Sequence, residues 1–165
     1  MRRILNVICI LFLLGNAYAL PNDREQLMHI DADSYELNYK TGIDVYEGNV
    51  KVDQGTTHLI ADRLVTEKNK DRKMISAIAY GVGQLAEFTT IPKEGEQLFH
   101  AKAKVIKFYP ETSLVQLEED VMVTQGENSF HGPIILYNMK DQIVSTPASK
   151  NGRATIIINT KQMKS

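Results

Sequence analysis

Four histidines, His29, His58, His100 and His131, are the side chains of this 165-residue chain best suited to bind a metal or move protons near neutral pH. Zinc sites draw Cys, His and carboxylate ligands from short spacings or converging clusters. The chain has one cysteine, Cys9, and no close His/carboxylate cluster of ligand spacing. His29 also alternates out of phase with Met28 and Ile30, which puts its ring on the face opposite the apolar residues. Glu118 and Glu119 are the carboxylates that could do acid/base work, but neighbours on a strand point to opposite faces and cannot share a substrate. No nucleophile elbow, phosphate loop or zinc-protease motif occurs. The chemistry therefore points to a binding protein with no catalytic residue, no metal and no cofactor.

The elements that carry these residues repeat. Tyr46 to Val65 reads YEGNVKVDQGTTHLIADRLV, and a constant offset of 71 residues pairs it with LEEDVMVTQGENSFHGPIIL at 117–136. Glu47, Val50, Val52, Gln54 and Gly55 fall on Glu118, Val121, Val123, Gln125 and Gly126; Leu59 and Ala61 fall on Phe130 and Gly132. The register holds from His29/His100 through Thr41/Thr112, giving blocks at 29–66 and 100–137. Val50 and Val52 alternate with Lys51 and Asp53, the period-2 pattern of a half-buried strand, and Gln54-Gly55 supplies a turn into a partner strand from His58. Gly48-Asn49 reads as a turn before the first strand.

Elsewhere short extended runs are punctuated by turn residues at intervals of about 8–12 residues, with no helical periodicity, which predicts an all-β antiparallel sandwich or open coiled sheet. Leu27 to Ala32, Tyr35 to Tyr39, Met74 to Tyr80, Gln84 to Thr90, Leu98 to Tyr109, Gln142 to Thr146 and Ala154 to Asn159 are the further strands. The loop from Ile91 to Gly95 divides repeat halves at about 27–90 and 98–160. No basic stripe or aromatic stacking platform suggests a nucleic-acid partner.

The chain begins with an export signature: Arg2 and Arg3, an 11-residue apolar run from Ile4 to Leu14, and the small-x-small site Ala17-Tyr18-Ala19. The run is short of the roughly 20 residues that span a bilayer. Cleavage between Ala19 and Leu20 is expected, leaving a cysteine-free single domain over 20–165. Loss of Arg2 and Arg3 takes its formal charge from −1 to −3. The polar end from Lys161 to Ser165 reads as a frayed tail.

Gly48-Asn49, Gln54-Gly55 and Ala61-Asp62 together resemble the signature repeat of the LptA/OstA-like family, periplasmic components of lipopolysaccharide transport. The resemblance covers about residues 27–160 and departs at Glu119-Asp120, which replaces Gly-Asn. It implies a coiled, V-shaped β-jellyroll with an apolar interior that shields the acyl chains of lipid A. Met28, Ile30, Val50, Val52, Leu59, Phe88, Ile106, Phe108, Val121, Val123 and Phe130 are the implied lipid-binding residues. By the same resemblance the partners are an LptC-like inner-membrane protein, the N-terminal domain of an LptD-like outer-membrane protein, and further copies joined head to tail. The uncharged run from Thr155 through Ile156, Ile157 and Ile158 is the expected docking edge, receiving Leu27 and Ile30 on the first strand of the next copy. The aromatic set Phe88, Phe99, Phe108, Tyr109, Phe130 and Tyr137 fits a closed core as well as a groove. An exported polysaccharide-binding module or enzyme, or an LptC-like member of the same system, are the competing readings.

Overall fold

A computed structural model describes residues 23–148 and 152–160. The expected leader, its cleavage at Ala19/Leu20, and the tail from Lys161 to Ser165 lie outside the described residues. Among the described residues, a 3₁₀ turn (Asp23–Glu25) is followed by twelve antiparallel strands: β1 (His29–Asp31), β2 (Ser34–Asn38), β3 (Ile43–Gln54), β4 (Thr57–Lys68), β5 (Met74–Tyr80), β6 (Ala86–Thr90), β7 (Phe99–Ala103), β8 (Val105–Tyr109), β9 (Leu114–Gln125), β10 (Asn128–Asn138), β11 (Ile143–Ser145) and β12 (Thr155–Ile157). The all-β expectation holds, and so does the offset: β2, β3 and β4 begin 71 residues before β8, β9 and β10.

Two features differ from the sequence expectation. Gly48-Asn49 is no turn but a bulge inside the continuous strand β3. Both residues have left-handed φ, 77° and 48°, and together they oppose the single residue Asp62, between the pairs Glu47↔Arg63 and Val50↔Ala61. Leu98 to Tyr109 is likewise not one strand, because Lys104 breaks it into β7 and β8. The two departures have one cause. Glu119-Asp120, with φ of 61° and 54°, makes the same bulge in β9 and opposes Pro133, whose missing N–H is harmless where no ladder bond is due. The amide of Asp33 donates to the Gly48 carbonyl, and that of Lys104, its repeat mate, to the Glu119 carbonyl, each at 2.9 Å.

These bulges crease the whole sheet. On one side of the crease the pairing order is β2, β3, β4, β5, β8, β9, β10, β11, using the residues of the long strands furthest from the Gln-Gly turns. On the other side it is β1, β3, β4, β6, β7, β9, β10, β12. The four long strands thus serve both layers. The hairpin turns gather at the free rims, and the apolar faces meet between the layers. In the second layer one inward row runs edge to edge: Ile30, Val52, Leu59, Phe88, Ala101, Val123, Phe130, Ile156. In the first layer the matching row is Tyr35, Tyr46, Leu64, Ala79, Ile106, Leu117, Ile135.

Non-glycine residues in the left-handed region cost of order 1 kcal/mol, and the ion pairs of Glu119 and Asp120 with Lys104 are exposed and weak. Glu119→Gly, which copies the first repeat, should therefore raise stability by about 1 kcal/mol in urea unfolding. Gly48→Ala should lower it, since a Cβ there would sit 2.3 Å from the Asp33 carboxylate.

Candidate binding cavity between the layers

The layers do not close against each other throughout. A cavity of about 780 Å³ lies between them, its walls formed by Met28, Val52, Leu59, Leu64, Ala77, Ala79, Phe88, Ile106 and Phe108. That volume is within the usual range of a small-molecule site, and the lining is mostly apolar. Val115 and Met139 complete the wall toward the second half. The polar groups sit at the rim: Asp23, Gln26, Gln54, Thr56, Thr57, Thr90 and the loop from Ile91 to Gly95.

All eleven residues singled out in the sequence face the space between the layers, but they divide. Met28, Val52, Leu59, Phe88, Ile106 and Phe108 line the cavity. Val50, Val121 and Val123 are fully packed, while Ile30 and Phe130 are partly buried against the core. The histidines lie elsewhere. In the outward row of the second layer His29 pairs across from Asp53, Asp53 from His58, His58 from Thr89, and Thr89 from His100. His58 Nδ1 is 2.5 Å from Asp53 Oδ1, and His100 Nε2 is 2.7 Å from Glu87 Oε1. Lys102, hydrogen-bonded to Glu87, is the main cause holding that carboxyl below its usual range. Glu118 is held low in the same way by Lys107, whose ammonium is 2.6 Å away on the outer face, while Glu119 is spent in the bulge.

Three features of the interior and its rim went unread in the sequence. The first is the strap before β1. Asp23 accepts the Thr56 amide at 2.9 Å and the hydroxyls of Thr56 and Thr57 at 2.6 and 3.0 Å, and Gln54 Nε2 donates to the Gln26 carbonyl at 3.0 Å. Gly55 admits this contact, because a Cβ would fall 2.2 Å from Asp23 Oδ1. The signal was present: Glu25-Gln26-Leu27 is repeated as Glu96-Gln97-Leu98, which extends the repeat past His29/His100. The second is a part-buried ion pair, Asp44 with Lys68, on the inner face near the rim; Asp44 is only 2% exposed, while the Lys68 side chain is 31% exposed. Burial, then the Asp44 charge, push the neighbouring Tyr46 phenol upward. The third is Phe99 stacked on Tyr137 across the layers, with centroids 4.0 Å apart and both rings fully buried.

An open, creased β-sandwich with an apolar cavity and a polar rim is the architecture of a protein that binds amphiphiles. The chain belongs to the LptA/(LptD N-terminal domain) LPS transport protein family, whose sequence profile matches residues 29–143. It is 36% identical over 141 residues to the lipopolysaccharide export system protein LptH of Pseudomonas aeruginosa, covering 84% of this chain and 75% of that protein. Identity to the lipopolysaccharide export system protein LptA of Escherichia coli K12 is 25% over 148 residues, 90% of this chain and 79% of the other. The crystal structure of LptH, the LptA homologous periplasmic component of the lipopolysaccharide transport device of Pseudomonas aeruginosa, superposes with a TM-score of 0.76 at 28% identity. The match covers 84% of this chain and 99% of that one.

The offset of 71 residues turns the ion pair into a test of its own energetics, since Asp44 and Lys68 correspond to the apolar pair Val115 and Met139. Lys68→Met alone leaves a buried carboxylate unpaired and should cost about 3 kcal/mol. Asp44→Val with Lys68→Met, the second-half pair, should cost under about 1 kcal/mol, because matched apolar packing replaces a desolvated pair with little loss. Urea unfolding of the two variants measures the difference.

Proposed function

We propose that this chain is a periplasmic lipopolysaccharide-transport protein whose interior covers the acyl chains of lipid A between the inner and outer membranes. The observation that carries the reading is the apolar cavity between two layers whose inward rows continue to both open edges. Each methylene withdrawn from water contributes about 0.8 kcal/mol, so covering several acyl chains is strongly favourable without any covalent step. The named relatives are export proteins, which accords with binding rather than catalysis. Under this reading residues 1–19 are a cleaved leader, 20–165 are one domain, and work for transport comes from a membrane ATPase elsewhere. Photo-crosslinking residues placed at 106 and 108 should capture labelled lipopolysaccharide, whereas residues placed at Lys51 and Lys107 on the outer faces should not. Equal labelling of both sets would contradict the reading.

The edges support a further part of the proposal. Among the described residues β1, β2, β11 and β12 each pair on one side only. Leu27 before β1 is exposed, as are Ile156, Ile157 and Ile158 at β12. Unpaired ladders of this kind accept another strand. The two ends differ, so copies would join head to tail, and an LptC-like or LptD-like partner with the same fold would dock on the same edges. Ile157→Pro should keep the circular dichroism of wild type and abolish concentration-dependent light scattering. Undiminished assembly of a folded variant would remove this edge from the interface.

A further inference from the structure

The internal repeat supplies a comparison within one molecule. Moving back by 71 residues, Phe99 falls on Met28, Tyr137 on Thr66, Val115 on Asp44 and Met139 on Lys68. Equivalent positions therefore hold an aromatic and apolar set in the second half, and in the first a set without aromatics in which only Met28 is apolar. The consequences are visible in the packing. In the second half Phe99 on β7 and Tyr137 on β10 stack across the two layers with an interplanar angle of 12°. Phe88 meets Phe99 edge-on at 6.3 Å. Behind them Ala101, Leu117 and Val123 are wholly buried and take no part in the cavity wall. In the first half Met28 remains 39% exposed, and the space between the layers stays open.

The position of the stack matters as much as its packing. The inward row of the second layer continues past Phe88 through Ala101, Val123 and Phe130 to Ile156 at the far edge. An apolar ligand seated against Phe88 is separated from that edge by the Phe99 and Tyr137 rings. Stacked aromatics bury large apolar areas and hold a defined geometry, so the barrier is a wall rather than a loose filling. The Tyr137 hydroxyl is enclosed with it, without a hydrogen-bond partner among the described residues.

We propose that the Phe99–Tyr137 stack is a gate between the layers: it stands behind the Phe88, Val115 and Met139 end of the cavity, keeps the resident ligand on the Phe88 side, and parts only when ligand passes toward the C-terminal edge. The identity of that ligand as lipopolysaccharide rests on the function proposed above; the gate does not.

The test gives the second half the residues of the first, Phe99→Met with Tyr137→Thr, in the full chain. Two probes are titrated: the fluorophore N-phenyl-1-naphthylamine, which reports any apolar space, and labelled lipopolysaccharide. With the native circular dichroism retained, N-phenyl-1-naphthylamine bound at saturation should rise about twofold, as a second cavity of similar size opens. Tyr137→Trp keeps a stacked ring and should bind as wild type does; it also provides the chain's only tryptophan, a direct check that the site remains enclosed. Should the double variant fail to fold, Phe99→Met alone is to release bound N-phenyl-1-naphthylamine faster than wild type. Unchanged saturation in a folded double variant, or unchanged release from Phe99→Met, overturns the gate. Binding of the fluorophore but not of lipopolysaccharide by wild type would instead overturn the proposed ligand and leave the gate to be judged on the fluorophore alone.

Discussion

Everything in this fold depends on two consecutive residues held in the left-handed region inside a strand. A flat strand of twelve residues would present one face to one partner layer. The bulges at Gly48-Asn49 and Glu119-Asp120 bend β3 and β9, while Asp62 and Pro133 take the opposing single positions in β4 and β10. Short strands then pair on either side of the crease, and a single sheet covers its own apolar face. Closure comes from the backbone rather than from disulfides, in a chain that has one cysteine, Cys9.

Folding a sheet on itself creates an interior whose contents are set by side-chain volume. Where Val121, Val123, Leu117, Ile135, Phe99 and Tyr137 meet, exposure falls to 3% or less and the layers are packed solid. Where Ala77 and Ala79 face Leu59 and Phe88, small residues leave room and a cavity remains. The repeated backbone is thus used twice for different ends. The second half supplies the solid core, and the space lies between the first half and the Ile106, Phe108, Val115 and Met139 side of the second. Enclosure has a cost in the second half: burial raises the Tyr137 phenol to about 12, with Glu96 adding to the effect.

Much of this was legible in the sequence because the governing signals are local and periodic. Alternation at Val50 and Val52, the Gln-Gly turns and the offset of 71 residues sufficed for the all-β class, the repeat and the inward faces. Gly48-Asn49 was misread because a glycine and an asparagine with positive φ are equally suited to a two-residue turn and to a bulge; only the partner's register, two residues against one, separates them. Lys104 gives no local sign of a strand break, although its repeat mate Asp33 lies between two short strands. The division of the inward residues into cavity and solid core was illegible for a different reason. It depends on which side chains meet across the layers, and alternation within a strand carries no information about that.

The central claim is that the space between the layers, not the outer faces or the rim, holds the acyl chains. Native mass spectrometry of the protein incubated with lipopolysaccharide measures this directly when wild type is set beside Phe88→Asp, Ile106→Asp and the outward control Lys107→Asp. The account predicts a one-to-one complex for wild type and Lys107→Asp, and its loss in both inward variants provided they remain folded. A complex of equal abundance in all four proteins, or in none, would contradict it.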